Sequence, residues 1–277
     1  MTDILLSTYN GEKYLGELLE SLLSQTEEDW RLLMRDDGST DSTMSIYWKY
    51  MRKDKRFQLS EDDRGNVGAM KSFELLMQRS RGEYIMFCDH DDVWLPEKIG
   101  HCMQTMKQAE SEYGKETAIV VYSDLQVVDE NLKSLDKSYW HYAGISPEYI
   151  NDFATLAGNN CVTGCTMMIN KAAKDVTGTF GKHAMMHDHV IALQVMADGG
   201  KLVKNEHADI LYRQHGDNVV GAMKDNRGWS LLLYRLKNMR KIVKQNRQYL
   251  AQARDIRELS AWEYIKSKTE YKRKLHG

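Results

Sequence analysis

Proline is nearly missing from this 277-residue chain, with Pro96 and Pro147 its only two, which argues against long disordered linkers. Cysteine is scarce as well. Cys88, Cys102, Cys161 and Cys165 form no CxxC pair and no zinc-like spacing, so they read as reduced thiols, and disulfides are not expected. No run of about 18 apolar residues occurs, so no segment reads as membrane-spanning. The chain opens on Asp3 and a short strand pattern instead of a basic stretch followed by an apolar one, so no signal peptide is expected and the setting reads as cytosolic. Neither GxGxxG after the first strand nor GxxxxGK[ST] is present, which disfavours a dinucleotide dehydrogenase or a P-loop enzyme.

What is present is ordinary for a soluble globular protein: 42% hydrophobic and 28% charged residues, enough for a full core. The net charge of −2 conceals an asymmetry, because residues 228–277 carry +9 and the first 227 carry −11. Such a split marks a basic appendage that meets an anionic surface. The expected division is a catalytic domain over 1–227 and a basic helical extension over 228–277.

Strand and helix patterns alternate four times along the first third. Asp3–Tyr9 reads as a strand, and Glu12–Gln25 as a helix with Leu15, Leu18, Leu19, Leu22 and Leu23 on one face. Trp30–Met34 is a second strand, with a helix over Ser42–Lys53. Phe57–Ser60 is a third strand, a helix runs from Asn66-Val67-Gly68 to about Arg79, and Tyr84–Cys88 is a fourth strand. A helix over Pro96–Tyr113 and a strand over Ile119–Asp124 follow. The class is α/β, a mostly parallel sheet with helices on both faces.

The strand Tyr84–Cys88 stops at Asp89-His90-Asp91-Asp92. On an extended chain Asp89 and Asp91 point the same way. Two carboxylates converging there repel each other unless a cation sits between them, and oxygen ligands favour Mg²⁺ or Mn²⁺ shared with substrate phosphates. The competing reading is an acidic loop that caps the helix starting near Pro96, with Asp92 offsetting the helix dipole. Ligands of open α/β sheets bind beyond the carboxyl ends of the strands. The polar loops Ser7–Asn10, Asp36–Asp41 and Asp89–Asp92 all fall at that edge, which points to a nucleotide-diphosphate pocket.

Ser7-Thr8-Tyr9-Asn10-Gly11, Arg35-Asp36-Asp37-Gly38-Ser39-Thr40-Asp41, Asn66-Val67-Gly68 and Asp89-His90-Asp91-Asp92 occur in the order of the motifs of family 2 glycosyltransferases. The chain resembles that family over roughly residues 1–220. The resemblance implies the GT-A fold, a Rossmann-like mostly parallel sheet, with inversion at the sugar carbon and a DxD motif holding a divalent cation, Mn²⁺ or Mg²⁺. By it, Ser7, Tyr9, Asn10 and Asn66 surround the nucleotide, and Asp37 bonds the pyrimidine imide. Asp89 holds ribose and metal-diphosphate, and Asp91 is the direct metal ligand. A satisfied strand-end Tyr9 and a helix-capping Asp37 are the structural alternatives.

Beyond the fourth strand, Asp129–Ala157 is irregular and rich in Tyr139, Trp140, Tyr142 and Tyr149, which serve sugar stacking or interhelix packing. In the family a glycine-bearing loop faces the donor sugar, and Thr163 and Gly164 stand in that place. His187-Asp188-His189 opens a helix. Asp188 reads as a helix-start carboxylate or as a general base, and a zinc site built from His183, His187 and His189 is the third reading of this stretch. His187 and His189, two apart, do not share a helix face. The family's base lies at this point in the chain, and inverting transfer needs one carboxylate to take the acceptor proton.

The segment Tyr212-Arg213-Gln214-His215-Gly216-Asp217-Asn218-Val219-Val220-Gly221 is similar to the bacterial rhamnosyltransferase branch, which uses dTDP-L-rhamnose for cell-wall or capsular polysaccharides. In that branch Arg213 and His215 would contact the diphosphate or sugar. The branch often has aromatic residues where this chain has His189-Val190. Expected partners are therefore a dTDP- or UDP-sugar donor and a saccharide or lipid-linked saccharide acceptor, with no nucleic acid. A sugar nucleotidyltransferase is the rival class, and Ser7–Gly11 lacks its glycine-rich basic loop. Helices over Ser230–Gln248 and Ala251–Lys274 close the chain. With Leu232, Leu236, Met239 and Val243 among Lys and Arg, they either pack on the catalytic domain or dock on an anionic membrane.

Overall fold

The computed structural model of the protein describes residues 1–215 and 239–276. Strand β1 (Thr2–Thr8), helix α1 (Leu15–Leu23), β2 (Trp30–Asp36), α2 (Thr43–Lys53), β3 (Phe57–Leu59), α3 (Ala69–Arg79) and β4 (Tyr84–Cys88) follow the expected alternation. Next come β5 (Val93–Trp94), α4 (Lys98–Tyr113), β6 (Ile119–Ser123), β7 (Gln126–Val128), β8 (Ser134–Asp136), α5 (Tyr139–Ala143) and α6 (Phe153–Gly158). The chain continues through β9 (Met168–Asn170), α7 (Lys171–Thr177), α8 (His187–Ala197), β10 (Lys201–Asn205) and β11 (Ile210–Arg213). Helices α9 (Met239–Ile256) and α10 (Ala261–His276) complete the described residues.

Seven strands form one sheet in the order β10-β6-β9-β4-β1-β2-β3, parallel except for β9, which runs against both neighbours. Residues alternate along β1 and β4, so each strand feeds two cores. Ile4, Leu6, Met86 and Cys88 face the layer built by α1, α2 and α4, where Leu15, Leu18, Leu19 and Leu22 are wholly buried. Leu5, Ile85 and Phe87 face the opposite layer, with Phe73 of α3 and Ile191 of α8. Each buried leucine contributes about 1.5–3 kcal/mol by leaving water. A smaller sheet, β5-β11-β7-β8, lies beside the carboxyl end of β4, its β5 following directly on the loop after that strand.

Because β9 is reversed, the loop that enters it arrives at the edge where the parallel strands end. Its register with β4, Met86 opposite Met168 and Tyr84 opposite Asn170, puts residues 163–166 beside the loop after Cys88. At the other end of the sheet Asp3 is fully buried and accepts from Arg31 (2.7 and 3.0 Å), Ser80 Oγ (2.7 Å), Arg81 N (2.9 Å) and Gly82 N (2.8 Å). Gly82 is required there, since a Cβ would come 2.8 Å from Asp3 Cγ.

The four cysteines are free and at most 3% exposed. Burial pushes the Cys88, Cys102 and Cys165 thiols up, and that of Cys161 up to about 11.

Two boundaries differ from expectation. Helix α3 begins at Ala69, because Gly68 at φ +83° is not helical. The last two helices meet at residues 257–260, beyond the break expected near Tyr249, and the start expected at Ser230 lies outside the described residues. Ser260 N donates to Glu263 Oε2 (2.9 Å) and Glu263 N to Ser260 Oγ (3.1 Å). That reciprocal capping box starts α10. Leu232 and Leu236 also lie outside the described residues, while Met239 and Val243 are exposed. No helix among the described residues is long and apolar enough to cross a membrane.

Candidate active site

The loops after β1, β2 and β4, the entry to β9 and the start of α8 converge at the carboxyl edge. Asn10, at φ +48°, ties the first loop to the second: its Oδ1 accepts from Thr40 N (2.9 Å) and its N–H donates to Ser39 Oγ (2.9 Å). Gly11 joins the first loop to the third, since a Cβ there would fall 2.6 Å from the His90 ring. Ser7 is half-buried at the end of β1, Tyr9 is 51% exposed, and Asn66 is exposed opposite Gly38.

Asp37, expected at the pyrimidine imide, is held from within the protein. It is 2% exposed, pairs with Arg35, and accepts from Val67 N (2.8 Å) and Gly68 N (2.7 Å). Its carboxylate thus fixes the backbone of Val67-Gly68 ahead of α3 and leaves the first turn of that helix without a side-chain cap. Arg35 also grips Asp62 (2.9 Å), Gly65 O (2.7 Å) and Ser72 Oγ (2.8 Å). The Arg35 hydrogen bond pulls Asp62 down to about 2.

The alternation argument for Asp89 and Asp91 ends with the strand at Cys88, because His90 and Asp91 form a turn. The turn brings Asp89 near Asp92 and Cys165, one ligating atom of each lying within 4.8 Å of the others. Asp91 turns to His215, whose Nε2 lies 2.9 Å from Asp91 Oδ2. Burial, then the charges of Asp91 and Asp188, raise Asp89 to about 7. Asp92 is fully buried and pushed well above the usual carboxylate range by burial and by Asp91 and Asp89. Its Oδ1 accepts from Arg213 N (3.2 Å), and its Oδ2 has no hydrogen-bond partner among the described residues. It does not cap α4, which begins at Lys98 with no carboxylate in its first turn.

Arg213 was expected at the diphosphate or sugar. Its guanidinium is 1% exposed and donates to Asp91 O (2.8 Å), Glu130 O (2.6 Å) and Glu17 Oε2 (2.7 Å), over the Tyr14 ring. It fixes the carboxylate turn from beneath. His215, also expected at the diphosphate or sugar, holds Asp91.

Asp188 lies in the first turn of α8, its Oδ2 accepting from Gly164 N (3.1 Å) and its Oδ1 from His189 N (2.5 Å). Burial pushes it up to about 6, against those bonds. Gly164 has no room for a side chain, as a Cβ would sit 2.5 Å from His187 Nε2. Thr163, half-buried, turns its carbonyl to Thr166 N (2.9 Å). The three histidines weighed for zinc diverge. His183 pairs with Asp255, His187 lies between Phe73 and Phe87, and His189 bonds Leu156 O. In the aromatic loop, Trp140 packs on Tyr122 of β6 and donates to Cys161 O (3.1 Å).

Sequence comparison decides the family. The profile of glycosyl transferase family 2 matches residues 3–177, more than half of the chain. The chain belongs to that family. The transferase is 26% identical over 237 residues to the dTDP-rhamnosyl transferase RfbG of Shigella flexneri, covering 78% of this chain and 74% of RfbG. It spans only 36%, 39% and 53% of three further relatives named as glycosyltransferases. Its fold is that of GT-A transferases. Staphylococcus aureus TarS 1-349 in complex with UDP-GlcNAc superposes with a TM-score of 0.63 at 18% identity, covering 98% of this chain and 71% of that one. The mannosyltransferase PcManGT of Pyrobaculum calidifontis, in complex with GDP-Man and Mn²⁺, gives 0.61 at 15% identity, covering 99% and 69%. Family membership sets aside the nucleotidyltransferase alternative.

The transferase's carboxylates fit a divalent cation. Asp89 and Asp92 bring hard oxygen donors within 4.8 Å of each other, Asp91 stands beside them against His215, and a cation would relieve the like charges that, after burial, raise Asp89. Cys165, buried and protonated, is a poor ligand for such an ion. Sequence reading missed Asp62 and Gln252. Only Asp62 carried a signal, its nearness to the Asn66-Val67-Gly68 motif.

Proposed function

We propose that this chain is an inverting, metal-dependent glycosyltransferase that moves L-rhamnose from dTDP-L-rhamnose onto a bacterial surface polysaccharide or lipid-linked saccharide in the cytoplasm. The observation that carries the reading is the crowded carboxylate pair Asp89 and Asp91 at the same edge as the buried Asp188. The 26% identity to RfbG over most of both chains supports the donor. TarS, bound to UDP-GlcNAc in its structure, favours a UDP-hexose or UDP-N-acetylhexosamine as second choice.

In this reading Ser7, Tyr9, Asn10 and Asn66 border the nucleotide, and Thr163 and Gly164 the donor sugar. A cation on Asp91 and Asp89, when bound, supplies positive charge to the leaving diphosphate. Ionised Asp188 takes the proton of the acceptor hydroxyl. The acceptor oxygen then bonds the anomeric carbon from the face opposite the leaving group, the bond to diphosphate breaks, and the nucleoside diphosphate departs. Arg213 and His215 keep the carboxylate turn in place.

The outer face of the basic C-terminal helices α9 and α10 touches an anionic membrane. Trp262 and Ile265, 68% and 63% exposed and one turn apart on α10, lie beside Lys266. A groove of about 720 Å³ between α9 and residues 182–185 adds Arg240, Lys244 and Arg247.

The test is nucleotide release from dTDP-rhamnose, UDP-glucose, UDP-galactose and UDP-N-acetyl sugars, with Mn²⁺ and with EDTA. Release of dTDP alone, lost in EDTA, is expected. Release of UDP alone would sink the rhamnose assignment. No release together with no Mn²⁺-dependent dTDP or UDP binding would sink the transferase reading.

A further inference from the structure

Residues 178–186, which lead into the helix bearing Asp188, have no regular secondary structure. Something outside the segment must hold them, and one face of α9 does. Gln252, 1% exposed, accepts from Met185 N at 2.7 Å through Oε1 and reaches His189 Nδ1 at 2.9 Å through Nε2. The amide orientation follows from chemistry: the Met185 N–H only donates, so the oxygen faces it and the NH₂ faces the ring. Nδ1 of His189 is then an acceptor, and Nε2 carries the proton that it donates to Leu156 O (2.9 Å).

One turn further along α9, Asp255 accepts from His183 N (2.8 Å), and a Cβ on Gly181 would lie 2.8 Å from its Oδ2. One turn earlier, the Tyr249 ring meets the His189 ring edge-on at 5.4 Å. The helix therefore holds the segment at Gly181, His183, Met185 and His189, on both sides of Asp188.

Taking Asp188 as the base, as proposed above, we propose that Gln252 is a positioning residue for it, and that the C-terminal helix is part of the catalytic unit, not an appendage. Gln252 touches no reacting atom. It acts by fixing Met185 and His189, three residues before and one after the base. A carboxylate displaced by about 1 Å from its proton loses rate steeply.

The experiment uses the full-length protein and its active donor, with Asp188→Asn, Gln252→Ala and His189→Phe side by side. Gln252→Ala is expected to lower kcat about 10- to 100-fold while donor KM and Mn²⁺-dependent nucleotide affinity stay within about two-fold. The acid limb of its kcat profile moves below that of the native enzyme, because Asp188 becomes more hydrated. A loss of folded protein alone would not move that limb. His189→Phe, which keeps the Gln252–Met185 bond, is expected to lose less. Native kcat and pH profile in Gln252→Ala beside an inactive Asp188→Asn would overturn the inference and leave the base intact. Full activity in Asp188→Asn would instead overturn the base reading. If Gln252→Ala does not fold, ¹⁵N NMR of the native His189 ring decides. The Nε2-protonated tautomer is expected, and an Nδ1-protonated ring would overturn the proposal.

Discussion

Two buried groups of carboxylates stand at opposite ends of the same parallel strands and differ in almost every respect. At the amino end, burial opposes the ionisation of Asp3, but Arg31, Ser80 and Gly82 overcome it and hold the carboxyl below its usual range. At the carboxyl end, Asp89, Asp91, Asp92 and Asp188 lie close together, and burial and like charges push Asp89 and Asp92 above the usual carboxylate range. Asp92 even keeps an oxygen without a hydrogen-bond partner among the described residues. A satisfied buried charge specifies the fold, whereas a crowded and under-satisfied one is retained only where something else is bound. The same sheet thus separates a scaffold end from a chemical end.

Four measurements sharpen or break that contrast. The largest effect is expected for Asp188→Asn, with kcat down about 10²- to 10⁴-fold and nucleotide binding retained. The native rate should rise with pH through about 6, where Asp188 ionises. A flat profile across pH 5–7 would remove it as the base. Next comes Asp3→Ala, which leaves Arg31 without its buried partner and should cost about 3–5 kcal/mol in denaturant unfolding, with unchanged activity per folded molecule. Because the Asp3 carboxyl is held low, its contribution is fully present at neutral pH and is lost as pH falls below the usual carboxylate range.

Third, Mn²⁺ at about 100 times its Kd should stabilise the native chain by about 2.7 kcal/mol, with EDTA reversing the shift. Asp91→Asn should abolish that shift, and Asp3→Asn should leave it in place. The smallest effect, and of opposite sign to that at Asp3, belongs to Asp92→Asn. Removing a crowded like charge should leave metal-free stability equal or higher by up to about 1 kcal/mol. A loss comparable to that at Asp3 would show that the two ends do not differ as described.

Much of this was legible because period and punctuation are local properties. The fourfold strand–helix alternation named a sheet with helices on both faces, where two opposed cores stand, and the polar loops after β1, β2 and β4 named the ligand edge. The reading failed where a side chain's environment is set by distant chain. Alternation could not carry Asp91 past Cys88, because the strand ends there. Nothing near Arg213 announces that Glu17, 196 residues earlier, would bind it beneath the turn. Gln252 likewise meets His189 across 63 residues, with no local pattern to mark it. The start of α10 is a different matter, since Ser260-Ala261-Trp262-Glu263 carries the capping-box spacing in plain view.

The deep burial of all four cysteines has a practical side. A thiol reacts as its thiolate, and here every native one is both covered and held protonated. The unmodified protein is therefore already suited to site-specific labelling. A cysteine placed at the exposed position 262 would take up a maleimide dye ahead of the native four, so that the extension could be tracked by fluorescence with the folding core left as nature made it.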